Sequence, residues 1–199
     1  MDASSYPWSS MGRLNIGGQG HCTAVMVHSD RMLVRARCLY NASEGRWWSP
    51  SELFYQAGYQ NDESLAGSAI SEYSIPASYN PKERTTLSSV IKREQEGWAM
   101  VKLQEPLGYK TGWMKLRFSD KASEDYAFTA GYRPGFPHAL RVSSNCSNPV
   151  QFNSGSFPCS RMGTAGALPK FITTFKGLAL VLPKAARKNM KSMVRMHNG

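Results

Sequence analysis

Apolar and polar residues alternate along most of this chain in short runs, each closed off by Gly, Pro, Asn or Ser. The alternation predicts strands over 13–16, 23–28, 32–36, 53–58, 68–74, 98–103, 126–132, 139–143, 168–173 and 177–182. Many of these runs are rich in Val, Thr, Tyr and Phe, which suit a pleated, half-buried surface. About ten short strands with few helical stretches predict an all-β sandwich or a pair of small barrels. No internal repeat or low-complexity tract interrupts the series.

One stretch follows a different period. Lys184, Arg187, Lys188, Lys191 and Arg195 recur at i, i+3, i+4, i+7 and i+11, the spacing of one helix face. Ala186, Met190, Met193 and Val194 then turn towards a core. This predicts a C-terminal helix whose basic face is either simply solvated or a stripe for an anionic membrane or nucleic acid.

Composition adds bounds. The chain has 199 residues, 41% hydrophobic and 19% charged, enough apolar content for a sizeable core and too little charge for gross disorder. No apolar run is long enough to span a bilayer as a helix. The net charge of +10 favours encounter with anionic surfaces without naming one. The start, Met1-Asp2-Ala3-Ser4-Ser5, lacks the basic and apolar regions of a secretory signal. The chain is therefore read as unexported, or as a mature form whose signal has been removed.

Four cysteines fall as two sequence-local pairs, Cys22 with Cys38 and Cys146 with Cys159. Three pairings are open to four cysteines, and buried free thiols are an alternative to all of them. Local pairing would close two short loops, each worth about 3 kcal/mol in the loop-entropy model, and would place the chain in an oxidising compartment. No CxxC occurs and the four histidines are scattered, so neither a metal nor a cofactor is expected.

Several segments, in order, carry a resemblance. Pro7-Trp8-Ser9-Ser10-Met11-Gly12-Arg13-Leu14 is followed by His21-Cys22-Thr23-Ala24-Val25-Met26-Val27 and by Leu33-Val34-Arg35-Ala36-Arg37-Cys38-Leu39-Tyr40. Then come Gly97-Trp98-Ala99-Met100-Val101-Lys102-Leu103, Ala130-Gly131-Tyr132 with Pro137-His138-Ala139-Leu140, and Cys159 with Gly163-Thr164-Ala165-Gly166-Ala167. The set resembles trypsin-like serine proteases of the bacterial V8, or glutamyl endopeptidase, branch. That resemblance implies a chymotrypsin-like double β-barrel of two six-stranded antiparallel barrels, with halves at 1–104 and 105–199. It also makes Cys38 the natural partner of Cys22.

Triad chemistry needs a serine to attack, a histidine to carry its proton and an aspartate to orient the imidazole. Carried over position by position, the histidine becomes Arg37, the aspartate Gly97 and the serine Ala165. A guanidinium cannot take up a proton near neutral pH, and Gly and Ala offer neither carboxylate nor nucleophile. The turn of Gly163 and Ala165 keeps the backbone for an oxyanion-hole-like site. On the primary-pocket strand, Ala179 replaces the histidine of a glutamate-selective enzyme, and Val181 and Leu182 stand where glycines would keep the pocket open. The resemblance thus implies a pseudoprotease, secreted or periplasmic, that binds another protein. Arg37, the Trp47-Trp48 loop and the basic C-terminal face are the candidate contacts. An active serine-type hydrolase with an unconventional site, and an electrostatic binder of lipid or nucleic acid, are the rival expectations.

Overall fold

The computed structural model of the chain describes residues 2–82, 97–118, 127–133, 135–146, 179–182 and 193–197. Six strands close into a barrel: β1 (Met11–Ile16), β2 (Gly20–Met26), β3 (Arg31–Arg35), β6 (Leu53–Ala57), β7 (Ala66–Pro76) and β8 (Trp98–Leu103). Their order is β7-β6-β1-β2-β3-β8, and antiparallel pairing of β7 with β8 closes the ring. Two short strands, β4 (Tyr40–Asn41) and β5 (Arg46–Trp47), form a small ladder beside it.

Strand alternation explains why the sequence runs look almost continuously apolar. In β2 and β3, Ala24, Met26, Met32 and Val34 point into the barrel with Leu14, Tyr55 and Ile70. Their neighbours Val25 and Leu33 belong to a second cluster, with Met11, Trp98, Ala130, Tyr132 and Leu140. The barrel therefore buries both faces of these strands, because side chains at i and i+2 share a face and those at i+1 take the other.

The outer cluster is covered by the hairpin of β10 (Ala127–Arg133) and β11 (Phe136–Cys146). Thr23 Oγ1 accepts the Tyr132 backbone N–H at 2.8 Å, so β10 docks on β2 by a polar contact as well as by apolar burial. A one-turn helix, α1 (Gly108–Thr111), precedes β9 (Lys115–Phe118). Of the expected second barrel, the described residues show this antiparallel hairpin and a two-stranded piece of β9 with β12 (Ala179–Leu182). The β9–β12 pairing is parallel, which departs from an all-antiparallel second barrel. The expected strand 168–173 lies outside the described residues.

The C-terminal helix expectation needs correction at its end, residues 183–192 lying outside the described residues. Met193–His197 is a strand, β13, paired antiparallel with β7 from Glu72 to Pro76. Over Glu72–Ser74, β7 pairs with β8 as well, so β13 occupies the opposite edge. That edge presents backbone N–H and C=O groups, which another strand can satisfy and a helix cannot. Local alternation agrees, since Arg195 is exposed while Met196 packs against the barrel core. Arg195 consequently shares no helical face with Lys184, Arg187, Lys188 and Lys191, which lie outside the described residues.

Candidate functional site

β3 ends at Arg35, and the chain tightens into a 3₁₀ turn, Ala36–Leu39. Three of its four residues, Ala36, Cys38 and Leu39, are buried, and Arg37 is exposed. The turn is held from several sides. Cys38 is disulfide-bonded to Cys22 on β2, with the Cα atoms 6.3 Å apart. The Leu39 carbonyl accepts the Trp48 N–H at 2.9 Å, and the Ala36 N–H donates to the Gly97 carbonyl at 2.8 Å. That last bond extends the β3–β8 ladder by one step beyond the Arg35–Trp98 pair.

The Ala36–Gly97 bond brings together two of the sequence-derived site positions, Arg37 and Gly97, from distant parts of the chain. Arg37 keeps its positive charge at every physiological pH, so it can hold an anion but cannot act as a general base. Gly97 is buried and adds only a backbone carbonyl, already bonded to Ala36. Gly163, Ala165 and Cys159 lie outside the described residues. Cys146 ends β11. Ala179, Val181 and Leu182 are placed on β12, opposite Lys115, Arg117 and Phe118 of β9.

The Trp47-Trp48 loop is a lid rather than a pair of exposed anchors. Trp48 is buried, its carbonyl accepts the Tyr73 hydroxyl at 2.6 Å, and its ring fills the space over Gly17. A Cβ on Gly17 would lie 2.5 Å from that ring, and its φ of +53° also suits glycine. Trp47 is half-buried between Tyr40 and Tyr79.

Two histidines elsewhere meet a hydroxyl and a carboxylate together. His28 Nδ1 lies 2.9 Å from Asp30 Oδ1 and 3.1 Å from Ser29 Oγ. His138 Nδ1 lies 2.9 Å from Asp62 Oδ1 and 2.7 Å from the Tyr59 hydroxyl. A proton relay uses the two ring nitrogens for different partners, one for the carboxylate and one for the nucleophile. In both clusters a single nitrogen meets both groups, so neither forms a relay with those partners.

The Tyr59 cluster was not singled out in the sequence. Arg13 donates to the Tyr59 hydroxyl at 3.0 Å and lies over its ring, while Tyr59 donates to Asp62 at 2.8 Å. The Tyr59 hydrogen bond, with the nearby His138, holds the Asp62 carboxyl below the usual range. Burial, then the positive Arg13 and the nearby His138, pushes His21 down. Tyr59 sits in a turn where Asn61 and Asp62 both adopt positive φ, 51° and 67°. Gly58 and the Asn-Asp pair were the local signals for that turn, since these residues tolerate the left-handed region. An open cleft of about 630 Å³ lies between Asp2–Ser4 and residues 58–65, and neither Arg37 nor Gly97 lines it.

No known family profile matches the chain, and no curated protein does. Among solved structures it is similar to a Glu endopeptidase, with a TM-score of 0.55 and 16% sequence identity. The match takes in 67% of this chain and 57% of that one, less than two thirds of the endopeptidase's length. Identity at that level shows fold alone. The chain has a trypsin-like fold. Within it, the closed first barrel carries the Arg37 turn and the Gly97 end of β8 side by side.

Proposed function

We propose that this protein is a catalytically inactive member of the trypsin-like fold, a pseudoprotease whose scaffold serves to bind another protein. The observation that supports this reading is the Ala36–Gly97 hydrogen bond, which brings the Arg37 turn beside Gly97, the two positions that the resemblance aligns with the triad's base and its orienting carboxylate. The replacement of the nucleophile by Ala165 supports it from the sequence. Loss of serine or histidine alone lowers turnover of a triad hydrolase about a millionfold. Arg37, exposed on a turn braced by a disulfide, is the favoured contact for an acidic side chain of the partner. The Cys22–Cys38 disulfide favours an oxidising setting, secreted or periplasmic.

The test sets the wild-type chain beside the variant Arg37→His, Gly97→Asp, Ala165→Ser. Both are exposed to a fluorophosphonate probe and to a broad peptide library. The wild type is expected to stay silent in both assays; labelling with peptide release by the wild type overturns the reading. Affinity capture from the exported fraction of the source cell should then recover one protein, and Arg37→Ala should weaken its capture. Unchanged capture by that variant removes Arg37 as the contact.

A further inference from the structure

Five large hydrophobic side chains are exposed among the described residues, and three of them, Tyr6, Tyr109 and Trp113, come together in one patch. Tyr6 donates to the Trp113 carbonyl at 3.3 Å, and the Tyr109 and Trp113 rings meet edge-on at 6.2 Å. His28 lies against the indole at 6.2 Å between ring centroids. Tyr109 is 79% exposed, Tyr6 50% and Trp113 40%.

The backbone beneath the rings is fixed. The Gly108 N–H donates to the Ser29 carbonyl at 2.8 Å, and the Met114 N–H to the Met26 carbonyl at 2.9 Å. Ser9 Oγ donates to the Thr111 carbonyl at 2.7 Å, and Met114 is buried in the outer cluster. Gly112, at φ 72°, lets the chain turn where a Cβ would lie 2.7 Å from the Tyr6 ring. A rigid support thus holds three large rings in water, an arrangement that apolar burial alone disfavours.

Charge restricts the occupant. Between Glu105 and Asp120, residues 106–118 contain Lys110, Lys115 and Arg117 and no acidic residue, and the exposed Lys110 and Lys115 follow closely on Tyr109 and Trp113 in the chain. Of the carboxylates close in sequence to Tyr6 and His28, Asp2 accepts from the Ser4 and Ser5 hydroxyls and Asp30 is engaged by His28 and Arg31. Tyr and Trp combine an apolar ring with a polar handle that stays hydrated at headgroup depth, and flanking lysines meet anionic headgroups. A single-stranded nucleic acid would want ring faces open in a row for its bases. Here the planes of Tyr109 and Trp113 stand 85° apart, and His28 also packs on Trp113.

We propose that the platform of Tyr6, Tyr109 and Trp113, flanked by Lys110 and Lys115, seats this protein on an anionic phospholipid surface. The rings enter the headgroup region while the two ammonium groups meet lipid phosphates. This interaction is independent of the Arg37 site and of any protein partner bound there.

Vesicle co-sedimentation of the full chain tests it, with phosphatidylcholine alone and with phosphatidylcholine mixed with phosphatidylglycerol. Binding is expected on the mixed vesicles and not on the neutral ones. Lys110→Ala with Lys115→Ala should weaken it about 25-fold, from two surface cations at roughly fivefold each. Tyr109→Ser, at a side chain almost wholly in solvent, and Trp113→Ser should each weaken binding. Phe54→Ser, exposed on β6 outside the patch, should leave it unchanged. The proposal fails if the mixed vesicles are not bound, if neutral vesicles bind equally, or if the aromatic variants bind like wild type. Preference for a single-stranded oligonucleotide over the mixed vesicles also overturns it.

Discussion

The hydroxyl of Tyr132 donates a 2.6 Å hydrogen bond to the backbone carbonyl of Tyr59, across the seam between the β10–β11 hairpin and the first barrel. The two rings also meet edge-on, 5.8 Å apart. Removing the hydroxyl strands a buried carbonyl, which costs about 1–3 kcal/mol. Tyr132→Phe should therefore lower the urea midpoint by that equivalent while leaving the m-value unchanged. A variant as stable as wild type would show that water or another donor replaces the bond.

Alkaline pH should unfold the protein through its buried tyrosines. Burial pushes the Tyr73 phenol up to about 12, and pushes Tyr55 and Tyr132 up as well. In the unfolded chain these groups ionise near pH 10, whereas the folded protein retains their protons. The unfolded state then binds fewer protons, so stability falls as pH rises from 10 towards 12. Absorbance of tyrosinate and loss of near-ultraviolet dichroism should rise together, and Tyr73→Phe should flatten the fall.

On the acid side the first loss should come from His21. Its folded pKa is depressed by burial and then by the electrostatic influence of Arg13 and of the nearby His138. As pH falls through about 6.5, the unfolded chain takes up a proton that the folded protein resists, so stability declines there. A second decline follows as Glu52 is protonated, because hydrogen bonds from Arg46 and from the Ser49 N–H lower its pKa to about 2. Unfolding midpoints measured at stepped pH should separate the two windows, and His21→Gln should abolish only the upper one.

Cys22 and Cys38 are 16 residues apart in sequence, so their bond restricts a short loop of the unfolded chain. Cys22→Ser with Cys38→Ser should cost about 3 kcal/mol in the loop-entropy model. Because Cys38 lies in the same turn as Arg37, amide exchange over residues 36–39 should also speed up more than exchange in β6.

Gly12 on β1 has no room for a side chain. A Cβ there would sit 2.2 Å from the Gln56 carbonyl oxygen and 2.6 Å from the Tyr55 ring. Backbone on the neighbouring strand cannot yield as a flexible side chain would, so Gly12→Ala should destabilise by about 3 kcal/mol. A thermal melt measures the drop; an unchanged melting temperature would mean that β1 and β6 part easily.

Strand positions in the first half were legible because both faces of β2, β3 and β8 are apolar and turn residues punctuate them. The Cys22–Cys38 pairing was legible from sequence proximity and from the resemblance. Three features were not. Arg195 fits the helical spacing of the basic residues before it, but the edge of β7 at Glu72–Pro76 pairs Met193–His197 as a strand, and that tertiary demand leaves no local signature. The aromatic platform escaped notice because Tyr6 is far in sequence from Tyr109 and Trp113. Their one-turn helix is also too short for a periodicity to show. Likewise Tyr59 and His138 meet only after the hairpin docks.

The pairing of β13 with β7 gives the barrel an order of assembly. The six barrel strands precede residues 193–197 in the chain, so a barrel closed before those residues dock would leave the Glu72–Pro76 edge open. An open edge is a template for any extended segment, including the same segment of another nascent chain. Met193–His197 therefore acts as an intramolecular stopper, and a chain cut before residue 193 would present the barrel with that side uncovered.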